Sequence, residues 1–350
     1  MKHFPGKSLI LIAISSAAAT LLLADAAFLL LNKHRKDTLS YDGGYARDGF
    51  FQADELLGYK PKPGLKIVSI KKSGDRVLYN VTYSIDRYGR RITLLSGTAV
   101  PGRPILFFGC SYTFGEGVAD DETLPFYVSR SFPGSIPLNY GCPGYGPQEM
   151  LAKLQSGDLG GEVTASGPVL IYTFMDDHVN RAIGSLHVCT RWGKDMPYYC
   201  FNANGNLERR GSFASGRPAL SRLYNAVSKV QFIDYFLGRI DYPIITDSHI
   251  RLTAEIIRAA AAAFRERFKS DDFYVVFFPG SSRAGKLIPY LQKSGVRYFD
   301  YSRLADMNDP SSRISRYDRH PTAAVYRAVA EKLAKDLKGE VNWASAPGRR

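Results

Sequence analysis

From Pro104 onward, short apolar runs alternate with amphipathic stretches, and this constrains the fold more than any other feature of the chain. Residues 105–108 (Ile-Leu-Phe-Phe) read as a buried strand that ends at Gly109, and residues 122–132 read as a helix. Further strands are predicted at 136–139, 169–174, 273–278 and 296–299. Helices are predicted at 148–155, at 253–268 with Thr253 as N-cap, and at 322–337. Such βα alternation implies a parallel sheet with helices on both faces. Residues 176–250 break the rhythm: they are aromatic, glycine-rich and irregular, and long enough to form a lid or a substrate wall.

The N-terminal third is organised differently. Residues 9–31 form an apolar run with one charge, Asp25, and a helix of that length spans a bilayer core. Residues 1–36 are therefore read as a membrane anchor, with a cleaved signal segment as the rival because Ala24-Asp25-Ala26 has the small-x-small form. Basic residues stand on both sides of the run (Lys2 and Lys7; Lys33, Arg35 and Lys36), so flanking charge does not fix its orientation. Residues 37–102 alternate in short steps between glycines and prolines and read as a small β-rich module that carries no catalytic constellation. The remaining segments are a catalytic domain at 103–338 and a disordered tail at 339–350.

The formal net charge of +13 favours acidic partners, but no nucleic-acid-binding motif accompanies it, so nucleic acid is not expected. Cys110, Cys142, Cys189 and Cys200 show no metal-ligand spacing. In an exported chain, Cys189 and Cys200 are expected to form a disulfide inside the irregular insertion, while Cys110 and Cys142 either pair or stay as buried thiols. Oligomeric state is not legible.

Chemistry is sought where parallel strands end. Ser111 leaves the first such strand in Gly109-Cys110-Ser111, where backbone N–H groups at a helix start can support an oxyanion. It is neither the GxSxG elbow nor a phosphate loop, because Thr113 replaces the second glycine and no GK[ST] follows. In Asp318-Arg319-His320-Pro321, Pro321 is expected at the first helical position with His320 as its cap, and Asp318 within reach of the imidazole. Ser111, Asp318 and His320 are thus the candidate triad. Asn139-Tyr140-Gly141 leaves the second strand, and Gly141 is a candidate oxyanion donor alongside the Ser111 N–H.

In order and spacing, Gly109-Cys110-Ser111, Asn139-Tyr140-Gly141, Asp176-Asp177 and Asp318-Arg319-His320 resemble the blocks of the SGNH/GDSL hydrolase superfamily. The resemblance covers roughly residues 104–338. It implies a flavodoxin-like three-layer α/β/α fold, Ser111 as nucleophile, and no cofactor or metal. The anchor and the β-module resemble exported bacterial members that act on cell-envelope glycans, with the catalytic domain periplasmic or extracellular. The expected function is a serine esterase on acyl, chiefly O-acetyl, esters of polysaccharide. The alternatives are a polysaccharide O-acetyltransferase, a lipase or lysophospholipase, and a catalytically silent glycan-binding protein. Three positions depart from the pattern: Cys110 replaces an aspartate, the acid–base pair is Asp-x-His, and Asp176 stands where the family has an asparagine donor. Because a carboxylate only accepts, Asp176 is expected to turn away from the oxyanion, toward Arg181 or a backbone N–H. Asp177, His178 and Arg181 are read as a supporting network under the site.

Overall fold

The computed structural model describes residues 6–32, 39–47, 49–93, 102–157, 159, 161–163, 167–237, 242–341 and 343. Beyond the module, five parallel strands form one sheet: β6 (Arg103–Phe108), β7 (Ser135–Asn139), β8 (Val169–Phe174), β11 (Phe273–Phe277) and β12 (Arg297–Asp300). Their order, β7-β6-β8-β11-β12, is the flavodoxin-like doubly wound arrangement. Strand pleating assigns the two faces. Leu106, Phe108, Leu170, Tyr172, Val275 and Phe277 pack under the helices Pro147–Ser156, Asp247–Phe268 and Ala284–Lys293. Ile105, Phe107, Val169, Ile171 and Val276 pack under Leu124–Arg130 and Ala323–Glu340. The three-layer α/β/α arrangement expected from the alternation is present.

The module before it holds an antiparallel sheet of β1 (Leu39–Asp42), β4 (Lys66–Ser73) and β5 (Arg76–Ser84). A hairpin of β2 (Phe51–Asp54) and β3 (Gly58–Pro61) lies beside it. Phe50 and Tyr83 pack edge-on against Phe114, next to the nucleophile turn. Arg91, fully buried, extends the same contact. Its guanidinium donates to Asp120 at 2.9 Å and to the carbonyls of Phe114, Gly115 and Val118. It also lies over the rings of Tyr83 and Phe114.

Several local expectations are corrected. The long helix begins at Asp247 with Thr246 before it, and Thr253 lies inside, its hydroxyl donating to the His249 carbonyl. The last helix begins at Ala323 with Thr322 as cap, so Pro321 and His320 stand outside it in a turn. The 176–250 insertion is regular: it contains the helices Asp177–Ile183, Leu186–Arg191, Phe213–Gly216, Pro218–Ser228 and Gln231–Leu237. A hairpin of β9 (Pro197–Phe201) and β10 (Leu207–Ser212) completes it, and Leu186, Val188, Met196 and Phe213 build its own core. Part of the tail expected to be disordered from residue 339 is ordered: the last helix runs to Glu340, Val341 is buried and Trp343 stacks on Phe132. Residues 342 and 344–350 lie outside the described residues.

The disulfide expectation is also overturned: all four cysteines are free thiols. Cys189 lies on a helix of the insertion core, where its thiol donates to the Gly184 carbonyl and accepts from Arg217. Cys200 lies on β9 beside the Tyr198 side chain. Nearness in sequence did not bring the two sulfurs together.

At the N-terminus, Gly6–Asn32 is one continuous helix of 27 residues. Among the described residues no helix is long and apolar enough to cross a membrane, and part of the side chains within Gly6–Asn32 lie outside those residues. Leu22, Leu23, Leu30 and Leu31 are exposed on this helix. Asp25 accepts from the Phe232 N–H, and Phe28 packs on Phe232 and Tyr235.

Candidate active site

The sheet delivers Ser111 at the carboxyl end of β6, the strand between β7 and β8. Gly109 leaves the strand with φ +148°, and a side chain there would lie 2.2 Å from Thr113 Oγ1, so the strand-to-turn passage requires glycine. Cys110 is extended and Ser111 opens the short helix Ser111–Phe114. Gly115 closes it in the left-handed conformation, its N–H on the Ser111 carbonyl.

Opposite, a turn presents the other two members. The Ser315 Oγ accepts from the Asp318 N–H at 2.9 Å, the Ser315 N–H donates to the Asp318 carbonyl, and the Ile314 N–H donates to the His320 carbonyl. Asp318 Oδ1 accepts from the His320 backbone N–H at 3.1 Å and lies 2.5 Å from His320 Nδ1. His320 Nε2 lies 2.8 Å from Ser111 Oγ. The Asp-x-His spacing suffices because one carboxylate oxygen meets both the backbone and the ring of His320.

Three further groups complete the charge pattern. Lys71 of β4 places its buried ammonium 2.9 Å from Asp318 Oδ2 and 3.3 Å from Glu116 Oε1. Tyr41 donates to the same Glu116 oxygen. Glu116 Oε2 lies 3.5 Å from His320 Nε2. Burial pushes the Asp318 carboxyl up, but the His320 hydrogen bond and Lys71 outweigh it and hold the group well below the usual range. Glu116 behaves alike: burial opposes ionisation, and His320, Lys71 and Tyr41 together lower its pKa. For His320, burial favours the neutral ring, yet Glu116 and Asp318 prevail and raise its pKa, with Lys71 acting against them. Ligand atoms of Glu116, Asp318 and His320 lie within 4.8 Å of one another. The Lys71 ammonium already supplies a positive charge between the carboxylates, so a metal ion would have to displace it.

Gly141 does not face the cleft. Its N–H donates to Asn139 Oδ1 at 3.0 Å, and a side chain on it would lie 2.4 Å from the Phe114 nitrogen. Gly141 therefore braces the nucleophile turn from below, which corrects its expected role as an oxyanion donor. Gly144, three residues on, borders the cleft together with Ser111. The signal for this was present in the sequence, because an asparagine two residues before a glycine is an Asx-turn pattern that occupies the glycine's N–H.

Of the two partners expected for Asp176, Arg181 or a backbone N–H, the structure shows the second. The Asp176 carboxylate accepts from the backbone N–H groups of Ser282 and Arg283 and from the Ser282 hydroxyl, which fastens the loop after β11. Arg181 instead donates to the Tyr145 carbonyl at 2.8 Å and pairs with Asp177 at 3.4 Å. His178 is fully buried with Nδ1 2.7 Å from Tyr172 Oη, and burial pushes its pKa far down. His178 thus sits under the site as a support, while Asp176, Asp177 and Arg181 border the cleft. Lys71, Tyr41 and Glu116 escaped the sequence reading. A lysine in phase with Ile67 and Ser69 on the buried face of β4 is the pattern that could have found the first of them.

The triad opens into a cleft of about 1200 Å³ between module and domain. Tyr41, Tyr45 and Tyr59 line it on the module side, and Tyr112, Trp192, Tyr317 and Arg319 on the domain side.

No family model and no curated protein matches the chain. Solved structures do. An acetyl xylan esterase from the rumen bacterium Butyrivibrio proteoclasticus matches at 11% identity and TM-score 0.40, over 71% of this chain and 67% of its own. A lipolytic protein of the G-D-S-L family from Veillonella parvula matches at 15% identity and TM-score 0.37, over 68% of this chain and 99% of its own. A carbohydrate acetylesterase from Sinorhizobium meliloti matches at 10% identity and TM-score 0.37, over 68% of this chain and all of its own, 100%. All three are ester-cleaving or lipolytic proteins by name. What this chain's site can do follows from its own geometry.

Proposed function

We propose that the chain is a serine esterase of the SGNH type that cleaves acyl esters, chiefly O-acetyl esters of a carbohydrate, through an acyl-enzyme on Ser111. The hydrogen-bonded line from Ser111 Oγ through His320 to Asp318, at 2.8 and 2.5 Å, carries this reading. His320 Nε2 takes the serine proton as Oγ bonds to the ester carbonyl carbon, and returns it to the departing alkoxide as the ester bond breaks. Water then attacks the acyl carbon, its proton passing to Nε2 and on to Ser111 Oγ as the acid leaves. Asp318 fixes the tautomer and supports the imidazolium. At the cleft, the N–H groups of Ser111 and Gly144 are the proposed partners of the developing oxyanion. A cleft walled by Trp192, Tyr59 and Tyr317, with Asp177 and Arg319 among them, suits flat apolar faces edged with hydroxyls, which favours a sugar over an acyl chain.

A panel of esters differing only in acyl length tests the reading: acetyl esters should turn over fastest. Faster hydrolysis of long-chain esters would make the protein a lipase or lysophospholipase instead.

We also propose that residues 9–31 anchor the protein in a membrane, with the cleft on the periplasmic or extracellular side. A 27-residue helix is about 40 Å long, and Leu22, Leu23, Leu30 and Leu31 are exposed on it. The Asp25 and Phe28 contacts with the 231–237 helix bind the segment to the body of the protein and favour its retention over cleavage at Ala26. The whole chain should stay with membranes after an alkaline wash; a soluble mature protein beginning at Ala27 would contradict the anchor.

A further inference from the structure

We infer that Glu116 and Lys71 are a pair of positioning residues that hold the catalytic imidazole between opposed charges, so that the β-module is part of the active site. Glu116 directs Oε2 at His320 Nε2 from 3.5 Å, the same nitrogen that meets Ser111 Oγ at 2.8 Å. The backbone N–H of Glu116 donates to the Ser111 carbonyl, so one turn carries both the nucleophile and this second carboxylate. Lys71 reaches across from β4 and contacts both carboxylates, Glu116 and Asp318.

The groups around His320 come from several elements. Asp318 belongs to its own turn, and Ser111 and Tyr112 to the nucleophile helix, with the Tyr112 ring 5.5 Å from the imidazole. Glu116 follows that helix, and Lys71 and Tyr41 come from the module, Tyr41 through its bond to Glu116. Arg319 points away toward Asn308, while its carbonyl accepts from Tyr112. Counting charges among the buried members, Glu116 and Asp318 carry two negative and Lys71 one positive. The cluster is therefore neutral only when His320 is protonated. Glu116 favours the imidazolium and Lys71 disfavours it, so the neutral base appears at a pH that the two set against each other. A chain with the triad alone would leave this balance to solvent.

This inference rests on His320 acting as the base for Ser111, and two readouts on the full-length protein keep the two claims apart. One is the pH profile of kcat/KM on an acetyl ester, whose acid limb reports the free enzyme's base. The other is NMR titration of the His320 ring, which needs no activity. A neutral base is required, so removing the charge of Glu116 should move the acid limb to lower pH. Removing the charge of Lys71 should move it to higher pH. We expect Glu116→Gln to shift the limb and the ring titration down by about one unit, and Lys71→Met to shift both up by about one unit. One unit below the wild-type limb, the first change is a gain of roughly fivefold relative to each variant's own plateau. A variant that only loosened the fold would lower the plateau without moving the limbs in opposite directions. Limbs and titrations within about 0.3 unit of wild type, or shifts of the same sign, would overturn the inference. Should Lys71→Met fail to fold, the isosteric Glu116→Gln decides alone. Opposite ring shifts in proteins that cleave no ester would uphold the pairing while removing the proposed function.

Discussion

Ser111→Ala should lower turnover of an acetyl ester by about 10³–10⁶-fold, with His320→Ala close behind, because the two side chains act as one unit. The unfolding midpoint should barely change in Ser111→Ala, since the only side-chain hydrogen bond described for Ser111 is to His320 and the turn is held by backbone bonds to Gly115 and Glu116. The double variant should be no slower than the worse of the two single variants, whereas independent contributions would multiply. Steady-state rates on purified protein, with a melting curve for each variant, provide the check. Wild-type turnover in Ser111→Ala would transfer the reaction to another nucleophile.

The largest effect on stability is expected at Arg91. Its guanidinium is fully enclosed between Tyr83 and Phe114 and bonds to Asp120 and three carbonyls of the 114–118 loop. Arg91→Met keeps much of the volume but leaves the Asp120 carboxylate and those carbonyls without their donor. Breaking a buried pair from one side costs about 3–5 kcal/mol, far beyond the ordinary effect of a surface change. Urea unfolding at 25 °C should show that loss as a lower midpoint with an unchanged slope. Activity per folded molecule should fall as well, since the released loop carries Glu116 and closes the nucleophile turn. A loss below about 1 kcal/mol would mean that the module and the domain are not joined through this residue.

These two results also mark what the sequence made legible. Strand period and glycine punctuation gave the sheet, because β6, β8 and β11 are buried on both faces and must read as unbroken apolar runs. Ser111, Asp318 and His320 stood out because each lies in a short loop at the edge of a regular element, where residue type is not dictated by packing. Gly141 and Gly144 could not be ranked by type alone, since what separates them is the Asn139 side chain that occupies one N–H. Lys71 and Arg91 were hidden for a different reason. Each is a cation in a module whose pattern suggested only packing, and each owes its burial to acceptors at least 23 residues further along the chain. The expected disulfide failed on the same ground, because a hairpin and a helix carried its two cysteines into different surroundings.

Ester cleavage by this site requires Ser111 to be a nucleophile activated by His320. Treating the intact protein with a fluorophosphonate and mapping the adduct by mass spectrometry tests it directly, because the reagent bonds covalently only to a serine whose proton is being removed. A single adduct is expected on Ser111, lost in His320→Ala and forming more slowly as pH falls through the His320 titration. An unlabelled Ser111 in folded wild-type protein, or labelling that persists without His320, would contradict it.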